Sequence, residues 1–237
     1  MKSALDSTRT CPKASSTPAR KGKKTRQLIL DTALECLNRD GISEVNCRVV
    51  AKAAGLTPGN IYYYFDNIDA IIAELGGGLT EAAEISLIRL ADGQLSSQEG
   101  RRQAALEWLE IVWTWRYAFL HFGQLDKDDP QAKANVRDMQ ERSVAIQAKA
   151  LEDQIVKRGL DLTDDDRTFC RDLAVSNWII SIHWMQYIAL TRDVSTMTKE
   201  DFLGTVDRFN AVARTLYDDE LMQRLALPPR DCASAPT

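Results

Sequence analysis

Two short apolar stretches meet at Gly55, and their end signals leave little choice of local fold. Asn46, a residue whose side-chain oxygen can accept from backbone amides, opens a stretch running through Val49, Val50 and Ala53. Gly55 closes it, because glycine enters a left-handed turn without steric penalty. Thr57 then restarts the chain, with Pro58 at the first helical position, where its missing N–H is harmless. Ile61, Tyr62 and Phe65 carry the second stretch onward. The pattern predicts two helices joined by a glycine turn, with Val50, Ala51, Ala54, Leu56, Ile61 and Phe65 closing an apolar hinge between them.

A longer helix precedes this pair. From Thr25, Ile29, Ala33 and Leu37 recur every four residues, Leu30 and Leu34 widen the stripe, and Gly41 supplies a stop. Beyond Ile68 no stretch alternates with the period of a strand, so the predicted fold class is all-α. Helices are expected at roughly 68–90, 101–122, 131–158, 164–190 and 199–224. Asp129-Pro130 and Gly159 mark one start and one stop, and Thr163 and Thr198 each precede an aspartate by three residues, the pattern of a capped start.

Charge divides the chain unevenly. The 237 residues carry a net charge of −4, yet residues 1–62 hold 11 Lys and Arg against 5 Asp and Glu, which leaves the remainder net −10. A basic front on an acidic body implies that the front meets a polyanion. At 44% hydrophobic and 27% charged, the composition is that of a soluble globular protein. The five cysteines are scattered, never at metal-ligand spacing, and read as reduced thiols. No secretory leader is expected, and Ser176, Asn177, Ser181, His183 and Gln186 make the longest apolar stretch too polar for a membrane span, so a cytoplasmic location is the expectation.

A second helix in such a pair can enter the major groove of DNA if its outer face offers hydrogen-bond donors and flat groups. The candidates here are Lys24, Asn46, Arg48, Thr57, Pro58, Gly59, Asn60, Tyr62, Tyr63 and Tyr64. Arg48, Thr57 and the tyrosine hydroxyls suit phosphates, Gly59 lets the backbone approach closely, and Asn60 can pair with adenine in two places. Lys23, Lys24 and Arg26 read equally well as a solvated face.

From Arg26 to Ile71 the chain resembles the TetR family of bacterial regulators. The match rests on Ala33, Gly41, Arg48, Ala51, Ala54-Gly55-Leu56-Thr57, Gly59, Ile61-Tyr62, Phe65 and Asp69. The resemblance implies that Thr57–Tyr63 enters the major groove and that Asn46, where the family usually has Thr, contacts phosphate. Two departures stand out: Tyr64 replaces a customary His, and Ile68 a customary phosphate-binding Lys. The implied organisation is a basic flexible arm at 1–22, a helix-turn-helix DNA-binding domain at 23–67, a helical ligand-binding and dimerisation domain at 68–225, and a flexible tail at 226–237.

The resemblance further implies a homodimer on a roughly palindromic double-stranded DNA operator, acting as a repressor released by a small, largely apolar effector. A DNA-binding architectural protein without an effector is the alternative. In the second domain Trp113, Arg116, His121, Gln124, Asn177, His183 and Tyr187 are candidates for a pocket, since pockets are aromatic with a few polar groups. The apolar breadth of 164–190 and 199–224 fits pairing with a second copy. No catalytic set, metal site or cofactor is expected. Gly76–Gly78, three residues each about 1 kcal/mol worse than Ala in a helix, either end their helix early or act as a hinge.

Overall fold

The computed structural model describes residues 18–92, 97–121, 130–157, 159–193 and 196–209, and these contain helices and no strand. The elements are α1 (Pro18–Asp40), α2 (Cys47–Ala53), α3 (Pro58–Tyr64), α4 (Ile68–Ala91), α5 (Gln98–Thr114), α6 (Arg116–Leu120), α7 (Pro130–Lys157), α8 (Asp164–Thr191) and α9 (Lys199–Leu203). The arm before Pro18, Phe122, Gln124 and everything from residue 210 lie outside the described residues.

Helix α1 begins at Pro18 rather than near Thr25, so residues 18–22 extend the helix instead of belonging to the arm. Proline at the first position and the Ala, Arg and Lys after it all favour helix. Its stripe is buried as the spacing predicts, with Ile29, Leu30, Ala33 and Leu37 in the core, and Gly41 ends it at φ +85°.

Helix α4 runs without interruption through Gly76–Gly78, which rules out an early end. Asn67 caps its start by accepting from the Ala70 amide at 2.8 Å, and the Thr80 hydroxyl donates to the Gly76 carbonyl at 3.0 Å. Contacts made on both sides of the glycines outweigh their poor propensity.

Two expected helices are broken. The stretch 101–122 divides into α5 and α6 at Trp115, whose φ and ψ of −108° and 34° are not helical. The break persists because Asn38 of α1 supplies partners for the freed backbone: its Nδ2 donates to the Thr114 carbonyl at 2.8 Å, and its Oδ1 accepts from the Tyr117 amide at 3.1 Å. The stretch expected from 199 pauses after Leu203 and is helical again at 206–209. There the Thr205 hydroxyl donates to the Phe202 carbonyl at 2.7 Å and accepts from Trp184 Nε1 at 3.0 Å, fixing a turn against α8. The starts at Thr163 and Thr198 are both reciprocal capping boxes, with Asp166 and Asp201.

Burial separates a head from a body. The head core gathers Ile29, Ala33 and Leu37 of α1, Val50 and Ala51 of α2, Ile61 of α3 and Phe65, together with Ile71 and Leu75 of α4 and Tyr117 and Ala118 of α6. The body core gathers Leu109, Val112, Phe119, Trp178, Ile182, Trp184, Met185, Ile188 and Phe202. Leu79 and Trp115 pack against both.

Candidate nucleic-acid interface

Local chemistry fixes the two short helices. The Asn46 Oδ1 accepts from the amides of Arg48 at 2.9 Å and Val49 at 3.2 Å, satisfying two donors that a helix start leaves free. Gly55 adopts φ +65°, a conformation that a side chain would strain. Thr57 and Asn60 then cap α3 reciprocally: the Asn60 amide donates to Thr57 Oγ1 at 3.3 Å, and the Thr57 amide donates to Asn60 Oδ1 at 3.1 Å. The Thr57 hydroxyl adds a donor to the same Oδ1 at 2.9 Å.

This cap changes the role open to Asn60. Reading adenine in two places needs the side-chain oxygen as acceptor as well as the nitrogen as donor. The oxygen is engaged by two donors of Thr57, so Nδ2 alone is left to offer. Asn60 is therefore a helix-capping residue with one spare donor.

The outer face of the pair is open. Lys24, Asn46, Arg48, Thr57, Pro58, Gly59 and Asn60 are all exposed. Tyr62 is 54% exposed and Tyr63 81%, large values for aromatic groups. Tyr64 behaves differently: it is half-buried against the head core, edge-on to Tyr63 with ring centroids 4.9 Å apart, and its hydroxyl faces Gly22 of α1. Ile68, in place of the family's lysine, also packs on the head core. Arg26 is no solvated cation, since it pairs through both terminal nitrogens with Glu74 of α4 and lies 4.7 Å from the Phe65 ring centre. Glu74 and Asn38 have no sequence motif that could have flagged them, because their partners lie 48 and 76 or more residues away.

Residues 29–75 match the family model described as bacterial regulatory proteins of the tetR family. Residues 29–75 thus carry a tetR-type N-terminal domain. Over 53 residues it is 40% identical to the HTH-type transcriptional regulator AcrR of Shigella flexneri, a match covering 22% of this chain and 25% of that relative. The TetR-type fold extends well beyond the head. A TetR-family transcriptional regulator from Marinobacter aquaeolei VT8 superposes with a TM-score of 0.66 at 19% identity, over 85% of this chain and 95% of that one. The fatty acid degradation regulator FadR from Bacillus halodurans gives 0.54 at 14% identity, over 86% and 97%.

In the body the sequence candidates do not converge. Trp113 and Arg116 form one unit at the break between α5 and α6, with the guanidinium 4.5 Å from the indole centre. His121 ends α6 beside Gly41 of the head. Asn177 donates to Gln147 of α7, which donates to Ser143 at 2.9 Å, and the Asn177 oxygen is buried with no partner among the described residues. His183 and Tyr187 are exposed on α8; His183 Nδ1 lies 2.6 Å from Gln186 Oε1, and the Tyr187 ring lies 5.3 Å from that of Trp184. No helix of the described residues is long and apolar enough to cross a membrane.

Proposed function

We propose that the protein is a dimeric, sequence-specific DNA-binding regulator that presents α3 to the major groove and is released from its operator by a small molecule bound in the body. The observation that carries this reading is the rigidly capped, outward-facing surface of α2 and α3, with Arg48, Thr57, Tyr62 and Tyr63 exposed around an uncrowded Gly59. Arg48 and the tyrosine hydroxyls hold phosphates, while Asn60 Nδ2 and the tyrosine edges meet bases. The basic excess in residues 1–62 supplies the counterion-release component of affinity.

A dimer is favoured by the outer face of α8, where Ile179, Tyr187 and Leu190 are exposed, the last at 86%. Pairing places two copies of α3 on half-sites about 34–36 Å apart, one turn of DNA. The test is a mobility-shift titration of DNA flanking the protein's own gene at two salt concentrations, with sedimentation of the free protein. A specific, salt-sensitive complex of a dimer is expected; a monomer with no specific complex at either salt rejects the reading.

A further inference from the structure

Among the described residues of the body, Arg116 is a cation whose surroundings are incomplete. Arg116 is half-buried at the start of α6, yet its guanidinium makes a single hydrogen bond among the described residues, from one terminal nitrogen to the Trp113 carbonyl at 3.0 Å. No described carboxylate pairs with it, and burial pulls its pKa below the usual arginine value. The acidic groups on the adjoining turns of α5 are engaged elsewhere: Glu110 lies 3.3 Å from Lys199, and Glu107 lies 3.0 Å from Arg89. A guanidinium carries five donors in a planar fork, and partly desolvating it without an acceptor is unfavourable.

The neighbours of Arg116 are aromatic. The half-buried Trp113 indole lies against the guanidinium and also meets Phe202 of α9 at 5.5 Å between ring centres, and Trp115 stands at the break itself. We infer that Arg116 is the receptor for an effector made of an apolar or aromatic body and one carboxylate, the carboxylate taking the free prongs of the guanidinium fork while the body lies on Trp113. The inference rests on the effector-responsive reading above. One guanidinium balances one negative charge, and its fork matches the two oxygens of a carboxylate; a phosphate dianion leaves a charge uncompensated. The site is also well placed to signal, because the next amide in the chain, that of Tyr117, is held by Asn38 of the head.

The test titrates the full chain calorimetrically with two matched pairs, hexanoate with hexanamide and benzoate with benzamide, and with inorganic phosphate. Saturable binding of at least one acid, roughly tenfold or more tighter than its amide, is expected, since a charge-assisted pair contributes about 1.5–3 kcal/mol and 1.4 kcal/mol is tenfold. Arg116→Gln should bring that acid and its amide to equal affinity, and Arg116→Lys, which keeps charge but not the fork, should fall between. If Arg116→Gln melts too early to titrate, Arg116→Lys carries the comparison. Acid and amide binding alike, neither acid binding, phosphate binding tighter than both acids, acid preference surviving in Arg116→Gln, or acid preference undiminished in Arg116→Lys overturns the inference. A mobility shift on the same preparations separates the two readings: specific DNA binding with no carboxylate preference sinks this inference alone.

Discussion

Arg26 on α1 and Glu74 on α4 form a two-armed ion pair that ties the head to the helix leading into the body, and the same guanidinium lies 4.7 Å from the ring centre of Phe65, the residue that ends α3. One side chain thus joins α1, the end of α3 and α4. Both partners are partly exposed, at 43% and 34% of their side-chain surface, so solvent weakens the Coulomb attraction.

Arg26→Met should therefore lower stability by only about 1 kcal/mol, the sum of an exposed ion pair and a cation–π contact. Glu74→Gln should cost less than Arg26→Met because the contact with Phe65 survives. Urea denaturation of both variants and their double mutant measures this. A double-mutant coupling energy near zero would mean the pair adds nothing.

Asn38 is a stricter case, because one side chain satisfies both the Thr114 carbonyl and the Tyr117 amide at the break between α5 and α6. Asn38→Ala should destabilise by about 1–3 kcal/mol, the range for stranding buried polar groups, and should speed hydrogen exchange at the Tyr117 amide. Unchanged exchange there would show that the break is held by packing alone.

The glycines of α4 and the glycine after α1 should respond in opposite directions. A Cβ at Gly77 meets nothing within 4 Å and its backbone is helical, so Gly77→Ala should stabilise by about 1 kcal/mol. Gly41 sits at φ +85°, so Gly41→Ala should destabilise even though the added Cβ would meet only His121 Nε2, at an ordinary contact distance of 3.8 Å. Thermal melts decide both.

At the DNA face, the capping oxygen and the spare donor of Asn60 can be separated. Asn60→Asp keeps the cap acceptor, so the fold should hold, while the lost donor and added negative charge should weaken DNA binding by about 1 kcal/mol or more. Tyr62→Ala should weaken binding by a similar amount without touching the cap. Ile68→Lys, whose stem can still lie on the head core, should strengthen binding and steepen its salt dependence by about one phosphate. Mobility shifts over a salt series read out all three, and an unchanged salt slope for Ile68→Lys would place that position off the DNA backbone.

Stability should also fall at alkaline pH through Tyr117. Burial pushes its phenol up to about 12 from 10, so the folded state holds a proton that the unfolded chain releases. The contribution is complete below pH 10 and is lost as pH rises toward 12, by about 2–3 kcal/mol at most. Tyr117→Phe should flatten this part of the pH profile in denaturant titrations; the same slope without the phenol would assign it to other groups.

What the sequence made readable was local. Asn46, Gly55, Thr57 and Pro58 act within a few residues, and each does what its position suggests, as do the capped starts at Thr163 and Thr198. The breaks at Trp115 and Gly204 were hidden because their causes are distant: Asn38 stabilises one, and Trp184 bonds to Thr205 at the other. At Asn60 the ambiguity is one of chemistry rather than distance. An amide suited to a base is equally suited to a helix start, and the cap wins because Thr57 supplies two donors three residues away.

The insertion of Tyr117 and Ala118 of α6 into the head core has an evolutionary consequence. A DNA-reading head whose interior includes side chains from the middle of the body cannot be swapped between relatives as a cassette cut near Phe65. Such a graft would leave a hole where the tyrosine ring belongs. Substitutions on the outer surface of α2 and α3 leave this seam intact, whereas a change in the core beneath them has to be matched in α6.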